Sequence, residues 1–377
     1  PLAVQIAEQD VLPPIVSASR DNHSRLQAAI DAAAAKYGAI GVQVAVIEGG
    51  QVTDAYASGW ATKNVEKMTP QHKMRIASIS KVIIGMEAMR LMERGIIDLD
   101  NPIGVYWGVS MKNPHYPNDP VTIRNLMTHT SSIFVAGDDV SLSYGAVRAK
   151  LSGGSAYRNV RPGNIGGWAY NNYGYSVLGM TLELAANGKM NDLLRRDLLT
   201  LMDIDAAFAP GDLRDSSQLV TLAYHGGGVA RSAAKQREFH SPAAPGASGT
   251  YFAGGLTINV SDLGKLVALL ANDGQYEGLQ MMKPESVALM EAVNETQLPD
   301  GSYQGLSIRC RKDIYGRERL YFHTGSAYGV YNCMSYDPDT GDGVVVLTVG
   351  ASAAKDSNGI YAVWEEISHE IYNATKK

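Results

Sequence analysis

The sequence contains little cysteine, little phenylalanine and no long hydrophobic run. Its 377 residues include 2 Cys and 5 Phe, against 20 Tyr. Two thiols are too few for a disulfide framework or for a metal site with four thiolate ligands. Disulfide-rich domains and domains held together by such a metal site are therefore excluded. No stretch reaches the roughly 18 apolar residues of a membrane-spanning helix, so we expect no transmembrane segment in this chain.

A concentration of positive charge is also lacking. The 33 Lys and Arg residues face 38 Asp and Glu, and the net charge is -5. Proteins that bind the phosphate backbone need basic patches, so nucleic acid is excluded as a partner. Hydrophobic residues at 45% and charged residues at 19% indicate a folded globular protein. The length allows two or three structural units of about 100 to 200 residues each.

Strand-like patterns are concentrated at the two ends of the chain. A helical pattern at Asn22–Tyr37 precedes two predicted strands, Gly41–Glu48 and Gly50–Ala61. Near the other end we predict four strands and a closing helix: Leu306–Lys312, Arg317–His323, Tyr328–Tyr336, Gly343–Val349 and Asn358–Ala374. Mainly helical patterns lie between the two ends. This arrangement predicts an α/β layer built from both termini around an inserted helical region.

The same patterns predict three parts of the chain. Residues 1–20 lack periodicity and are interpreted as a leader or linker. Residues 21–97 together with 255–377 form the predicted α/β sheet domain, and residues 98–254 form the inserted, mainly helical domain. Within the insertion, the Gly- and Ser-rich stretch Gly226–Gly249 is predicted to be a long loop, of a kind that is often functional in a compact domain.

A serine and a lysine lie one helical turn apart at the start of an apolar helical pattern. These residues are Ser78 and Lys81. Serine is a poor nucleophile until a base removes its proton, and a lysine three residues later places its amine beside the hydroxyl. Burial of the helix would favour the neutral amine that such a base requires. The alternative is an ordinary helix N-terminus with a solvated lysine.

The Ser-x-x-Lys spacing recurs twice, so it does not identify a nucleophile by itself. Ser232 and Lys235 lie in the predicted loop, whereas Ser352 and Lys355 precede the closing helix. We interpret Ser352 as the N-cap of that helix.

Two further motifs carry groups suited to acyl transfer. Tyr170 and Asn172 stand just before an apolar helical pattern, where a phenol could relay protons and a carboxamide could bind a substrate amide. His323–Ser326 reads His-Thr-Gly-Ser at the end of a predicted strand, and its glycine permits close approach of a ligand to the backbone. Taken alone, the first motif also fits a Tyr-rich turn and the second a strand-ending turn.

In this order, the three motifs resemble those of the serine β-lactamase-like superfamily, which includes the penicillin-binding DD-peptidases. Tyr170–Asn172 stands where class A enzymes have Ser-Asp-Asn, so the chain looks like the branch with class C β-lactamases, DD-carboxypeptidases, D-aminopeptidases and related esterases. The resemblance covers roughly residues 25–370. Connecting segments that also resemble the family are Ile96–Pro102, Val121–Ser131, Ala253–Asp262 and Asp337–Val349. The resemblance implies an antiparallel β-sheet flanked by N- and C-terminal helices.

The resemblance also implies roles for the motif residues. Ser78 would be the acylated nucleophile and Lys81 its proton acceptor. Tyr170 would shuttle protons to the leaving group or from the deacylating water, and Asn172 would orient the amide on the acyl side of the substrate. No metal or organic cofactor is implied.

The third motif would hold the reacting carbonyl and the far end of the substrate. The backbone N–H groups of Ser78 and Ser326 would form the oxyanion hole. His323 and Thr324 would meet the far end of the substrate, and Gly325 lies between them and the oxyanion hole. The substrate would lie along the edge of this strand.

The sequence departs from the family pattern at its third motif. His323 stands where β-lactamases usually have Lys, and a largely neutral His lacks the permanent charge that would bind a drug carboxylate. This departure favours a peptidase, amidase or esterase over a β-lactamase. Arg309 or Arg311, on the preceding strand, could supply a carboxylate anchor instead, although most strand arginines are simply solvated.

Two other departures concern loops. Ser132, within Thr130–Ile133, stands where the family normally has Gly, which leaves the conformation of that loop open. The stretch Gly226–Gly249 has no counterpart in the family that we can align. His129 is interpreted as a structural turn histidine and His225 is left unassigned, since neither belongs to a spaced metal-binding pattern.

The function expected from the resemblance is an acyl-serine hydrolase, D-Ala-D-Ala carboxypeptidase-like or a D-amino-acid peptidase or amidase. The alternatives are an esterase or β-lactamase on the same site, or a penicillin-binding sensor module that does not turn over. The expected partners are a small peptide, amide or ester, including a peptidoglycan stem peptide or a β-lactam. A peptidoglycan substrate would require an extracytoplasmic location, periplasmic or secreted.

The spacing of the two cysteines predicts that they do not pair. If the late strands form a meander, Cys310 and Cys333 lie on its first and third members, about 9 to 10 Å apart. A disulfide needs Cα atoms within about 7 Å, so we predict two free thiols.

Overall fold

A computed structural model describes residues 15–135, 140–356 and 359–375, with side chains described from Asp21 onward. Residues 1–14 of the predicted leader lie outside the described residues. Helix α1 begins at Ile15, so the last part of the predicted leader is helical. The division of the chain into domains at residues 98 and 254 stays a prediction.

In the described part of the chain, eight strands form one antiparallel sheet, in the order β10-β11-β12-β13-β14-β1-β2-β3. The six described strands outside this sheet form three pairs, β4 with β7, β5 with β6 and β8 with β9. The strands are β1 (Gly41–Glu48), β2 (Gln51–Thr62), β3 (Glu66–Lys67), β4 (Met74–Arg75), β5 (Leu222–Ala223), β6 (Val229–Arg231), β7 (Thr257–Ile258), β8 (Gln275–Tyr276), β9 (Leu279–Gln280), β10 (Tyr303–Gln304), β11 (Arg309–Ile314), β12 (Arg317–Ala327), β13 (Val330–Tyr336) and β14 (Gly343–Val349). The predicted antiparallel sheet built from both ends of the chain is confirmed.

Helices cover both faces of this sheet. The helices are α1 (Ile15–Lys36), α2 (Ser80–Glu93), α3 (Gly104–Trp107), α4 (Ile123–Met127), α5 (Tyr144–Ser152), α6 (Asn172–Ala186), α7 (Met190–Leu194), α8 (Ala233–Gln236), α9 (Val260–Ala271), α10 (Pro284–Glu291) and α11 (Ala362–Ala374). Helices α1 and α11 pack on one face, over alternate β-branched residues such as Val44 and Val346. The other face packs against α9 and the larger core that contains α2 and α6.

Strand β12 is longer than the sequence predicted, because it continues through the His-Thr-Gly-Ser motif to Ala327. Each motif residue pairs with β13, and the ladder ends at the pair Ala327 and Val330. A two-residue turn, Tyr328 and Gly329, joins the strands with φ values of 53° and 82°. Positive φ at both positions gives the turn a twist that matches the strands. The motif therefore lies within a paired strand and not at its end.

The stretch Gly226–Gly249 is not wholly irregular, as predicted, since it contains β6 and α8. The Oγ atom of Ser232 accepts a hydrogen bond from the backbone N–H of Lys235 and caps α8. Conversely, Ser352 is not the N-cap of the closing helix, because α11 begins only at Ala362, after Tyr361. The N-cap interpretation of Ser352 was thus wrong, and Ser232, which was placed in a loop, is the serine that caps a helix.

The two cysteines are free, as predicted. Cys310 on β11 and Cys333 on β13 are separated by β12 in the confirmed meander. They also belong to the hydrophobic clusters on opposite faces of the sheet. Among the described residues, no helix combines the length and the apolar character that crossing a membrane requires.

Candidate active site

Ser78 lies on a tight turn that leads into helix α2. The turn is a 3-10 helix, Ala77–Ile79, and Ala77 adopts a φ of 50°. A non-glycine residue in the left-handed region is strained and needs support from its surroundings. Support comes from Leu256, whose carbonyl accepts from the N–H of Ile76 and whose own N–H donates to the Ser80 hydroxyl. The segment before Ser78 is thereby held on both sides.

The Lys81 side chain is completely buried, and its amine meets three oxygen atoms. Nζ lies 3.0 Å from Ser78 Oγ, 2.9 Å from Asn172 Oδ1 and 2.5 Å from the carbonyl oxygen of Ala253. Burial lowers the pKa of Lys81, while the neighbouring Tyr170 acts in the opposite direction. A neutral amine has two N–H donors and one lone pair. The two N–H groups can donate to the Asn172 and Ala253 oxygens. The lone pair can then accept the proton of the Ser78 hydroxyl.

Tyr170 stands over the amine from the start of helix α6. Its ring centroid lies 5.0 Å from Lys81 Nζ. The rings of His129 and His323 flank it, at centroid distances of 4.5 Å and 6.5 Å. Asn171 caps α6 by accepting from the N–H of Gly174, which fixes the backbone beside Tyr170. The structure therefore brings the first and second motifs together.

His129 is a structural turn histidine, as interpreted, but it also supports the site. Its backbone is left-handed, with a φ of 58°. Its Nδ1 accepts a hydrogen bond from the N–H of Asn171, so the ring proton must lie on Nε2. Burial lowers the pKa of His129 well below the ordinary value, and Lys81 and His323 add to this effect. Sequence reasoning missed the contact with Tyr170, because the two residues are 41 positions apart.

His323 is buried and faces Tyr170. Its Nδ1 donates to the carbonyl oxygen of Thr324 at 2.7 Å, which leaves the Nε2 lone pair of the neutral ring unused by that bond. Burial lowers the pKa of His323 well below the ordinary value, with smaller contributions from Arg309 and Lys81. The imidazole is therefore neutral at pH 7, which agrees with the expectation that this position carries no permanent charge.

Strand β12 presents an open edge beside the turn that carries Ser78. Strand β11 pairs with β12 only as far as Phe322, so residues 323–327 pair with β13 alone among the described strands. A Cβ built at Gly325 would lie 2.1 Å from the carbonyl oxygen of Ile76 and 3.2 Å from Ala77 Cβ. The missing side chain of Gly325 is what allows this approach. Ser326, the next residue, is exposed.

Asn332 connects the sheet to the segment that leads to Ser78. It is fully buried, and its Nδ2 donates to the carbonyl oxygen of Arg75 at 3.1 Å. Its Oδ1 accepts from the N–H of Thr348 at 2.9 Å. This side chain thus ties strands β13 and β14 to the segment that leads to Ser78. A lone asparagine in a strand has no sequence pattern that would have predicted this role.

Arg309 and Arg311, the two arginines considered as carboxylate anchors, both bind Asp300. Arg309 forms an ion pair with its carboxylate at 2.5 Å, and Arg311 donates to its carbonyl oxygen. Both guanidinium groups also lie over the Phe322 ring. Of the two, Arg309 contributes to the lowered pKa of His323. Arg309 is therefore the better placed of the two, and its role as an anchor stays a prediction.

Ser132 takes the backbone conformation that a glycine adopts most readily. Its φ is 62°, and its hydroxyl accepts from Asn113 Nδ2 at 2.9 Å. The buried hydrogen bond compensates for the strain, so the loop keeps the left-handed turn despite the substitution. His225 lies outside the site, where its Nδ1 contacts the carbonyl oxygen of Gly350 at 3.3 Å.

Comparison with known proteins identifies the family. The model of the Beta-lactamase family matches residues 26–366. The chain belongs to the Beta-lactamase family. Its members are typically serine hydrolases, and the predicted superfamily resemblance is confirmed.

Among curated relatives, the D-alanyl-D-alanine-carboxypeptidase/endopeptidase AmpH of Escherichia coli (strain K12) is 32% identical over 98 residues. That match covers 26% of this chain and spans only 25% of AmpH.

Solved structures of other Beta-lactamase-like proteins share the fold over nearly the whole chain. The D-amino acid amidase of Ochrobactrum anthropi SV3, complexed with D-phenylalanine, has a TM-score of 0.72 at 22% identity, covering 94% of this chain and 100% of the amidase. A class C β-lactamase of Rhodobacter sphaeroides has a TM-score of 0.70 at 17% identity, covering 93% and 98%. At these identities the likeness supports the fold alone.

Proposed function

We propose that this member of the Beta-lactamase family is an acyl-serine hydrolase with Ser78 as nucleophile and Lys81 as its base. The observation that carries the proposal is the buried Lys81 amine, 3.0 Å from Ser78 Oγ. Its burial favours the neutral form, and its two other contacts use the N–H donors and leave the lone pair for the serine proton.

The first half-reaction would transfer the acyl group to the enzyme. Ser78 Oγ attacks the substrate carbonyl carbon as its proton passes to Lys81 Nζ. The backbone N–H groups of Ser78 and Ser326 hold the resulting oxyanion. Tyr170 then relays a proton from Lys81 to the leaving nitrogen or oxygen, the bond to the leaving group breaks, and an ester on Ser78 remains.

The second half-reaction would release the acyl group as a carboxylic acid. Water enters from the open edge of β12 and attacks the ester carbonyl. Its proton passes through Tyr170 and Lys81 to Ser78 Oγ, so the serine and the neutral amine are regenerated. Asn172, which already binds Lys81 Nζ through Oδ1, has its amide nitrogen available for the substrate amide.

For the substrate we propose a D-amino-acid peptide or amide, cleaved in the manner of a D-Ala-D-Ala carboxypeptidase. The neutral His323 supports a substrate with no charge at that end, such as a D-amino acid amide, over a β-lactam drug. Two relatives bear names of that chemistry, the carboxypeptidase AmpH and the D-amino acid amidase. If the substrate is peptidoglycan, the protein would act outside the cytoplasm, in the periplasm or after secretion.

A four-substrate comparison tests this proposal. Steady-state turnover would be measured on a D-Ala-D-Ala peptide, a D-amino acid amide, a short acyl ester and a chromogenic cephalosporin. We expect the highest kcat/KM on one of the two D-amino acid substrates. Preference for the ester would indicate an esterase, and preference for the cephalosporin a β-lactamase. Stoichiometric acylation without turnover on all four would indicate a sensor.

A further inference from the structure

Two arginine side chains share one tyrosine ring beside the proposed active site. The guanidinium carbon Cζ of Arg75 lies 5.0 Å from the centroid of the Tyr328 ring, and that of Arg231 lies 4.7 Å from it. Arg231 Nη2 also lies 3.4 Å from the Tyr328 hydroxyl, to which it donates. Arg231 stacks in addition on Phe239 at 5.0 Å. The aromatic rings therefore fix both guanidinium groups in place.

No carboxylate among the described residues balances these two charges. Neither Arg75 nor Arg231 forms an ion pair within 4.0 Å in the described part of the chain. The Nε of Arg75 is buried and has no hydrogen-bond partner there. Burial lowers the pKa of Arg75, the positive charge of Arg231 adds to this effect, and Tyr328 and Tyr251 oppose it. An anion within reach of both guanidinium groups would stabilise the two half-buried cations.

The position of this pair relative to Ser78 follows from the chain. Arg75 precedes Ser78 by three residues, and Tyr328 follows Ser326 by two. Tyr328 stands in the turn that follows β12, and two residues extend the chain by at most about 7 Å, so its backbone lies within about 7 Å of Ser326. His323 lies on the other side of Ser326, at the end proposed for the leaving group. The arginine pair is therefore on the acyl side of the reacting carbonyl.

We propose that Arg75 and Arg231 form a carboxylate-binding subsite for the acyl portion of the substrate. This inference rests on the proposed function, and it narrows the substrate to D-amino acid derivatives whose acyl portion carries a free carboxylate. Guanidinium groups present paired N–H donors that match a carboxylate, which is why arginine suits this task. The proposed subsite also gives a role to the stretch Gly226–Gly249, since Arg231 lies within that stretch.

A pair of matched thioesters tests the subsite. One carries an N-succinyl-D-alanyl group, whose free carboxylate is six bonds from the reacting carbonyl. The other carries the N-succinamoyl group, in which a neutral amide replaces that carboxylate. We expect wild-type kcat/KM to favour the succinyl thioester by about 10- to 100-fold, the range that charge-assisted hydrogen bonds give. The preference should shrink as salt is added, because screening weakens partly exposed charge pairs.

Arg231→Gln should shrink the preference, because kcat/KM on the succinyl thioester should fall much further than kcat/KM on the succinamoyl thioester. Arg25→Gln is the matched control, since Arg25 lies on α1, on the opposite face of the sheet, and should keep the preference. Equal wild-type rates on both thioesters would overturn the proposal. Equal losses on both in Arg231→Gln would also overturn it, because they would show a structural effect.

A binding measurement separates the subsite from the proposed catalytic function. Calorimetric titration of Ser78→Ala with N-succinyl-D-alanine and with N-succinamoyl-D-alanine requires no turnover. We expect the succinyl compound to bind about 10- to 100-fold more tightly, and Arg231→Gln in the same background to shrink the difference. Discrimination in binding without wild-type turnover would refute the hydrolase and leave the subsite standing. Turnover without discrimination would refute the subsite alone.

Discussion

Lys81 Nζ lies 3.0 Å from Ser78 Oγ, in a position from which water is excluded. A lysine in water holds its proton up to about pH 10.4 and could not accept one from serine near neutrality. Burial among the Asn172 and Ala253 oxygens removes that obstacle, because the pKa of the amine is lowered.

The pH dependence of kcat/KM should show an acid limb set by Lys81. The protonated amine cannot accept the serine proton, so activity rises as pH rises through the Lys81 pKa. Because burial lowers this pKa, the rise should be complete well below the ordinary lysine value. The check is a pH profile on an N-acetyl-D-amino acid amide, which has no group that titrates in this range. A profile that still rises tenfold per unit near pH 10 would contradict the assignment.

Tyr170→Phe should lower kcat by about 100-fold or more, since it removes the proposed proton relay. The ring, and hence the contact with His129, is kept, so the thermal midpoint should barely change. Tyr175→Phe is the matched control. The Tyr175 hydroxyl donates to Met127 O and contacts Ser307 Oγ, both at 2.9 Å, so its loss should cost about 1 to 3 kcal/mol of stability. Full activity in Tyr170→Phe would refute the relay.

Gly325→Ala should push β12 away from the turn that carries Ser78. The new Cβ would meet the carbonyl oxygen of Ile76 at 2.1 Å, a backbone atom that cannot move aside. We expect both a loss of about 2 kcal/mol or more in unfolding free energy and a fall in kcat, since the oxyanion donors would separate. Gly145→Ala on α5 is the control, because nothing lies within 4 Å of its added Cβ. Wild-type activity in Gly325→Ala would exclude this close approach.

Glu87, on helix α2, should make the protein less stable as pH rises. Burial raises the pKa of Glu87 to about 9, and the nearby Asp197, which Arg94 and Arg196 contact, adds to the effect. Below pH 4.5 the folded and unfolded states both bind the proton. Above it the unfolded state ionises first, so stability falls until the folded pKa is passed.

Glu87→Gln removes that loss, because the neutral amide mimics the protonated acid. We expect the variant to be about 1 to 3 kcal/mol more stable than the wild type at pH 8, with the difference vanishing near pH 4. Denaturant unfolding at the two pH values measures this difference. A constant difference between the variants at both values would show that Glu87 does not titrate as inferred.

Much of the fold could be predicted because local patterns and tertiary context agree. Gly343–Val349 was predicted to the residue, since a run of β-branched side chains is bounded by glycines. Strand β12 was cut short at His323, because Gly325 and Ser326 are poor strand formers and only pairing with β13 extends the strand. Tertiary pairing overrode local preference at that point.

Site residues whose side chains form a sequence motif could be predicted. Contacts made by backbone atoms could not. The sequence motifs selected Ser78, Lys81 and Asn172, and the structure brings Lys81 Nζ within hydrogen-bond distance of the other two. The third partner of the amine is the carbonyl oxygen of Ala253, and a carbonyl has no sequence signature. The support of Tyr170 by His129 was missed for a similar reason, as it depends on how two distant turns pack.

Acylation of Ser78 is measured most directly by peptide-resolved mass spectrometry after rapid mixing with a penicillin or a D-alanyl peptide ester. We expect one acyl adduct on the peptide that contains Ser78, its decay as product appears with the D-alanyl ester, and no adduct in Ser78→Ala. Product formation without any adduct, or an adduct that persists in Ser78→Ala, would contradict it.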